Sequence, residues 1–163
     1  MKWSAFVVAS PKLAGFGEEL IERHGLILLA SLRHDGTPRI SPVEPLIVDG
    51  ELELGMIWQS KKALDLLRDP RCHVHTIVTD RNGTEGEFKL WGKARDLGSA
   101  DRERYCTALD AKIGWRPKEP FHAFAIDLAS AAYRRFGGEG GKVYALVWRD
   151  GGETVESEIV VEV

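Results

Sequence analysis

Tight Asp-Gly turns between short apolar segments are the feature that most constrains the fold of this chain. Asp35-Gly36 follows the apolar segment 26–32, Asp49-Gly50 precedes an alternating segment, and Asp150-Gly151 divides the apolar tail. Asp-Gly suits the two-residue turns of antiparallel hairpins, because positions with positive φ are required there. These turns predict a mostly antiparallel β-barrel with a few flanking helices, and its first three strands are expected to run as a meander.

The segment 39–48 (RISPVEPLIV) has the composition of a strand but contains Pro42 and Pro45. Proline donates no hydrogen bond to a sheet, so it is confined to edges, bulges and strand starts. We therefore expect an edge strand, a bulge or a strand that opens toward a ligand. The strand that carries Arg39 is expected to pair beside the strand that leads into Ser60.

Three segments are predicted to be helical. Ser10-Pro11 is a typical helix start, apolar residues recur at helical spacing after it, and Gly25 ends the helix. A short helix follows Ser60 and stops at Asp69-Pro70, and residues 100–113 form a third helix. A strand is predicted at HAFAIDL (122–128), whereas Arg134-Arg135 with FGGEGGK is expected to be a flexible connection.

Composition limits the classes of function. The chain has 163 residues, of which 44% are hydrophobic and 29% are charged, and its formal net charge is −3. This balance predicts one globular domain over residues 1–163, and the absence of a basic surplus argues against a nucleic-acid partner. Two cysteines, and no apolar run near the roughly 18 residues of a membrane span, favour a reduced, cytoplasmic protein that does not cross a membrane.

Two lysines stand where positive charge is unfavourable. Ser60-Lys61-Lys62 lies at the predicted N-terminus of the short helix, where the helix dipole already places partial positive charge. Each lysine there costs up to about 1 kcal/mol unless a counter-charge is present. Unpaired backbone N–H groups and lysine ammoniums suit a phosphate, and Ser60 can both cap the helix and donate its hydroxyl to the anion.

An ordinary helix cap is the alternative. In that case Ser60 caps the helix and both lysines are solvated, which is the commoner arrangement. Arg39 changes the balance, because a guanidinium near this helix end offers the bidentate contacts to phosphate that lysine lacks. Without such proximity Arg39 is a surface arginine on an edge strand.

The order of these motifs resembles the pyridoxamine 5′-phosphate oxidase-like family, the flavin and deazaflavin split barrels. The matching pieces are DGTPR (35–39), SKK (60–62), LLRDPR (66–71) and FKLWGKARDL (88–97). The resemblance covers residues 26–97 and is strongest to actinobacterial-type members. It implies a mainly β (α+β) fold, an antiparallel split β-barrel with a few flanking helices, which forms a homodimer.

The resemblance also implies a cofactor site at the dimer interface. Lys62 would bind the cofactor phosphate beside Ser60 and Lys61, and Arg39 would hold the same phosphate or the adjoining ribityl chain. The residues that would line the flavin are Ile40, Ser41, Met56 and Ile57.

The implied activity is that of an FMN-binding oxidoreductase that transfers hydride to or from a small organic molecule. A deazaflavin (coenzyme F-420) is the alternative cofactor, because its long tail needs an open basic path that Arg39, Lys61, Lys62 and Arg68 would supply. A non-catalytic flavin, deazaflavin or haem carrier is the alternative function. No catalytic residue is assigned. The acidic tail lacks the C-terminal Arg and His residues of true pyridoxamine phosphate oxidases, so that reaction is not expected.

His73 and His75 lie two residues apart on a predicted strand and therefore share a face. Two imidazoles do not complete a metal site, and Val78 and Thr79 stand where a cupin-like site needs a glutamate. Surface or interface histidines are therefore predicted, with no metal. A haem-ligand role for His75 or His122 is the speculative alternative.

The tryptophans and cysteines are assigned to packing. Trp58, Trp91 and Trp148 are expected to pack in the barrel or at the dimer interface, although each can also flank a flat ring. Cys72 and Cys106 lack a CxxC partner and are predicted to be buried thiols.

Overall fold

The computed structural model describes residues 1–138 and 141–160, and within them nine strands form one antiparallel sheet flanked by four helices. The helices are α1 (Trp3–Ala9), α2 (Pro11–His24), α3 (Lys61–Arg68) and α4 (Ser99–Ile113). The strands are β1 (Ile27–Leu32), β2 (Pro38–Val43), β3 (Pro45–Val48), β4 (Glu51–Ile57), β5 (Arg71–Thr76), β6 (Glu87–Asp96), β7 (Phe121–Gly138), β8 (Lys142–Arg149) and β9 (Val155–Val160).

The sheet closes on itself because of how β2 and β3 are connected. The strand order is β2-β1-β5-β6-β7-β4-β3, so β2 and β3 lie at opposite ends of this path. Only Glu44 separates the two strands in the chain, and one residue spans only a few ångströms. The two ends of the path must therefore meet. The strand β7 pairs with β4 through its first half and with β8 through its second half, which confirms the split antiparallel barrel.

The prolines mark two edge strands rather than one interrupted strand. Pro42 lies within β2 and Pro45 begins β3, and each of these strands ends the path, as the proline rule predicts. The predicted meander is confirmed in its pairings, although its middle strand is broken at Glu44: the predicted segment 39–48 pairs with β1 through β2 and with β4 through β3. The predicted pairing of the Arg39 strand with the strand that leads into Ser60 is confirmed only for residues 45–48, since the half that carries Arg39 pairs with β1.

The predicted turns and helices are largely confirmed. Asp49 and Gly50 adopt φ of 48° and 75° in the β3–β4 hairpin, and Gly25 ends α2 with φ of 65°. The flexible connection predicted at Arg134-Arg135 is wrong, since both residues belong to β7 and pair with β8. Small and apolar residues continue in this strand past residue 128, and Ala131, Ala132 and Tyr133 are all buried. Glu139 and Gly140 of the predicted connection lie outside the described residues.

Two hydrophobic clusters hold the barrel and its helices together. In the larger one α1, which the sequence analysis did not predict, places Phe6 against Trp148 with ring centroids 5.0 Å apart. In the smaller one α4 packs Tyr105 and Leu109 against Phe121 and neighbouring strand residues. Trp148, Cys72 and Cys106 are buried, as predicted. The smaller cluster packs α4 against β3 and β7, beside the cleft described below.

No helix within the described residues is long and apolar enough to cross a membrane.

Candidate functional site

The N-terminus of α3 presents unpaired donors. Ser60 occupies the N-cap position with extended backbone, and the first helical hydrogen bond runs from Leu64 N–H to the Ser60 carbonyl at 3.0 Å. The N–H groups of residues 61–63 precede that bond and so have no helical acceptor. The first turn contains no acidic residue. This end of the helix therefore offers backbone donors and positive charge together.

The Ser60 hydroxyl does not cap the helix. The prediction of the N-cap position is confirmed, but the side chain makes no capping hydrogen bond. Its Oγ is buried and, within residues 1–138 and 141–160, has no hydrogen-bond partner. A buried hydroxyl without a partner is costly, roughly 1–3 kcal/mol, so it indicates a group that the protein itself does not supply.

An open cleft of about 530 Å³ lies on one side of this helix end. It runs between the ends of β2 and β4 and the segment that joins α4 to β7. Lys62, Ile57 and Trp58 line it, together with Trp115 and Lys118 of the segment before β7. Most of the lining is apolar or aromatic, with few charged side chains, which is the usual character of a small-molecule site.

Trp58 lines the cleft, and its ring stacks on a histidine. Its ring stacks on His122 with centroids 4.4 Å apart and an interplanar angle of 12°. His122 is 4% exposed, whereas Trp58 is 46% exposed, so one face of the indole is supported and the rest remains open. Trp58 is thus only partly packed within the chain. The stack gives the cleft a firm flat surface.

The floor of the cleft includes a tyrosine that the sequence analysis missed. Tyr105 on α4 is 4% exposed, and its hydroxyl approaches Gly55 of β4 so closely that a Cβ at Gly55 would lie 2.3 Å from Oη. Burial raises the pKa of Tyr105 to about 12, so the phenol remains a neutral hydrogen-bond donor. The signal in the sequence was Gly55, a glycine inside a strand, which marks a close approach.

A shallow basic depression of about 460 Å³ lies on the other side of α3. Arg33, Arg39, Lys61 and Arg68 line it with two acidic residues, Asp35 and Asp65. Asp35 forms its hydrogen bonds within its own turn. Its Oδ1 accepts hydrogen bonds from Thr37 Oγ1 at 2.6 Å and Thr37 N at 2.9 Å, and these bonds lower the pKa of Asp35. The depression is therefore positive although the chain as a whole is acidic.

Arg39 reaches the helix by contacting Asp65. Its Nε donates to Asp65 Oδ2 at 2.6 Å, and its side chain is 21% exposed. This contact brings Arg39 beside α3 even though β2 pairs with β1 rather than with β4. Arg39 thus contacts the middle of α3, and its place beside the N-terminus of the helix stays a prediction.

The predicted site residues fall into three groups. Lys62, Met56 and Ile57 line the cleft, and Arg39 and Lys61 line the depression. Met56 is 5% exposed and part of the larger core, whereas Ile57 is 82% exposed. Ser60, Ile40 and Ser41 do not occur among the described residues that line the two concavities; Ile40 lies 68% exposed on the edge strand β2.

The two histidines of β5 lie on the outer face of the sheet. His73 packs against Trp91 with ring centroids 4.7 Å apart, and burial lowers the pKa of His73. His75 Nε2 lies 3.4 Å from Glu87. No group of three or more His, Cys, Asp or Glu side chains suited to a metal occurs in the described part of the chain. The absence of a metal remains a prediction.

Comparison with known protein structures identifies the fold. No protein-family model matches the sequence, and no curated protein matches it. PhzG from Burkholderia lata, in complex with tetrahydrophenazine-1-carboxylic acid, has a TM-score of 0.66 at 9% identity and covers 98% of this chain and 93% of its own. A pyridoxamine 5′-phosphate oxidase-related, FMN-binding protein from Nostoc punctiforme has a TM-score of 0.64 at 16% identity and covers 89% and 95%.

A NimC/NimA family protein from Clostridium acetobutylicum is also similar, with a TM-score of 0.57 at 14% identity over 88% of this chain and 90% of its own. These similarities show that the chain has the split-barrel fold of pyridoxamine 5′-phosphate oxidase-like proteins. At such low sequence identities, these similarities are evidence for the fold and not for a particular function.

Proposed function

We propose that the protein is an oxidoreductase that binds FMN, with a deazaflavin as the alternative cofactor, and transfers hydride to or from a small organic molecule. The observation that carries the proposal is the buried, unpartnered Ser60 hydroxyl at a helix N-terminus with lysines in its first turn. The fold supports it, because structurally similar proteins include an FMN-binding one.

A phosphate at the N-terminus of α3 accounts for the local chemistry. It would accept hydrogen bonds from Ser60 Oγ and from the free N–H groups of the first turn. Lys62 from the cleft side, and Lys61 and Arg39 from the depression side, would neutralise its charge. An anion of this kind fits the residues present, since it satisfies the orphaned hydroxyl and offsets two lysines at the positive end of the helix dipole.

The cleft beside the phosphate position suits a flat ring. Ile57 and Trp58 would contact it from one wall, and the support of Trp58 by His122 would fix that contact. Ile40, Ser41 and Met56 stay in the proposal as further lining residues of the cofactor. When bound, the flavin or deazaflavin ring supplies the hydride chemistry, and the protein contributes binding, orientation and the exclusion of water.

A homodimer is part of the proposal. Ile40, Ile57 and Trp91 are 68%, 82% and 42% exposed, and large apolar side chains exposed to this extent suit contact with a second copy of the chain. The partner chain would complete each cofactor site. We expect light scattering at micromolar concentration to give twice the chain mass of 18.1 kDa; a monomer would contradict the shared site but not the barrel.

Cofactor binding and turnover test the proposal in two steps. Purified protein is titrated with FMN and with coenzyme F-420, and fluorescence gives each dissociation constant. The proposal expects micromolar or tighter binding of one of them, and failure of both would overturn it. The protein loaded with the reduced cofactor is then mixed with candidate acceptors. Reoxidation faster than without protein supports an enzyme, whereas binding without turnover identifies the non-catalytic carrier. A cytoplasmic location also remains a prediction.

A further inference from the structure

Asp65 is a buried carboxylate that contacts three donors from three elements. It lies in the middle of α3 and is 4% exposed. Its Oδ2 accepts hydrogen bonds from Arg39 Nε on β2 at 2.6 Å and from Ser31 Oγ on β1 at 3.2 Å. Its Oδ1 accepts hydrogen bonds from both Nη groups of Arg68, each at 3.3 Å. The two oxygens of one carboxylate thus hold two arginines in place.

The contact with Arg39 uses one edge of the guanidinium and leaves the other available. Because the group is planar, a hydrogen bond donated by Nε fixes the direction of both Nη groups. Among the described residues, Asp65 is the ion-pair partner of Arg39, and it is contacted by Nε and not by the Nη groups. Arg39 lines the depression with Lys61, the first residue of α3. A guanidinium held in this way is ready for bidentate contact with an anion.

The strand register brings both Ser31 and Arg39 to Asp65. Ser31 and Arg39 are directly opposite each other in the β1–β2 ladder, so their side chains share one face of the sheet. Ser31 is 3% exposed, and both side chains reach the same carboxylate oxygen. Burial alone would raise the pKa of Asp65, but the hydrogen bond and charge of Arg39, with Arg68 and Ser31, outweigh it and lower that pKa. The carboxylate is therefore ionised at neutral pH.

We propose that Asp65 is a positioning residue, which orients the Arg39 guanidinium toward an anionic group of the cofactor at the N-terminus of α3. This inference rests on the proposed function, because it takes Arg39 as a ligand of the cofactor phosphate. Asp65 itself does not touch the cofactor. Its effect is confined to the affinity for the anionic group, which separates this role from simple anchoring of the helix.

The experiment compares FMN with riboflavin, which has the same ring and ribityl chain but no phosphate. Asp65→Asn keeps the shape of the side chain and removes its charge. We expect it to weaken FMN binding about 10- to 50-fold and to change riboflavin binding less than about twofold. If the titration of the wild type identifies the deazaflavin, coenzyme F-420 and its phosphate-free chromophore replace this pair. Equal weakening of both ligands would overturn the positioning role.

Asp69→Asn is the matched control. Asp69 follows α3 at its other end and pairs with Arg71 at 2.6 Å, so the variant removes the same charge at a distance from the anion position. It should leave the affinities for FMN and riboflavin unchanged. A loss of FMN affinity equal to that of Asp65→Asn would show a general charge effect and overturn the inference.

A double-mutant cycle tests whether Asp65 acts through Arg39. In an Arg39→Ala background, Asp65→Asn should weaken FMN binding less than about twofold further, because no guanidinium remains to be positioned. An undiminished effect in that background would overturn the inference. If Asp65→Asn does not fold, as judged by its thermal transition, Ser31→Ala replaces it. That variant should weaken FMN binding about two- to fivefold and leave riboflavin unaffected, and no change in FMN binding would overturn the role.

Failure of this inference is distinguishable from failure of the proposed function. A wild-type protein that binds neither FMN nor coenzyme F-420 contradicts the proposed function. A wild type that prefers FMN to riboflavin, with the same preference in Asp65→Asn, overturns only the role of Asp65.

Discussion

Gly55→Ala should destabilise the protein because Tyr105 occupies the space that a side chain at Gly55 would need. A Cβ there would lie 2.3 Å from Tyr105 Oη and 2.9 Å from Cζ, whereas ordinary contacts are about 3.4 Å or longer. Tyr105 would have to move by about 1 Å, and it is 4% exposed within the smaller core. Overpacking of this kind costs about 1–3 kcal/mol, which lowers the melting temperature of a domain of this size by about 2–12 °C.

Thermal unfolding followed by circular dichroism measures this effect. Tyr105→Phe in the Gly55→Ala background removes the closest atom and should recover part of the loss, since only the ring contacts remain. Gly15→Ala is the control, because Gly15 lies in α2 with open space around its Cβ position and should gain up to about 1 kcal/mol. A Gly55→Ala protein as stable as the wild type would refute the assignment of Tyr105 to the floor of the cleft.

Two further predictions concern Lys62 at the proposed phosphate position and the buried side chains of Cys72 and Tyr105. Lys62→Ala should weaken FMN binding about tenfold or more and leave riboflavin binding unchanged. Replacement of the exposed Lys93 by Ala is the control. An unaltered affinity for FMN would show that Lys62 does not bind the phosphate. Stability should fall as pH rises from about 9 to 12, because burial raises the pKa values of Cys72 and Tyr105 to about 12 from 9.0 and 10.0. These groups stay neutral in the folded protein while the unfolded chain loses their protons. Urea unfolding at pH 8 and pH 10.5 should therefore show a smaller loss for Cys72→Ala than for the wild type, and equal losses would contradict the assignment.

Local patterns in the sequence predicted the elements that depend on neighbouring residues. The Asp49-Gly50 turn, the start of α2 at Pro11 and the position of Ser60 before α3 follow from backbone preferences at single residues. The edge positions of β2 and β3 follow from Pro42 and Pro45. These features need no knowledge of distant contacts.

Features that depend on distant contacts were missed or misplaced. The strand order of the barrel, in which the one-residue connection at Glu44 joins the two ends of the path, was not predicted. The contact of Arg39 with Asp65 crosses 26 positions, and that of Tyr105 with Gly55 joins residues on α4 and β4. Such pairs become neighbours only through the packing of helices on the barrel.

The site was predicted in part for the same reason. Residue types near Ser60 indicated an anion, because helix ends and lysines are local features. The division of the predicted residues between the cleft and the depression depends on which side of α3 each side chain faces, and the walls at Trp115 and Lys118 come from a segment with no motif of its own.

The affinity of the wild-type protein for FMN compared with riboflavin tests the central claim most directly. The claim is that the N-terminus of α3 binds the cofactor through its phosphate, which riboflavin lacks. We predict that FMN, or coenzyme F-420 against its phosphate-free chromophore, binds at least about tenfold more tightly in an equilibrium fluorescence titration. Equal affinities within each pair would contradict the claim and leave the buried Ser60 hydroxyl without the partner assigned to it here.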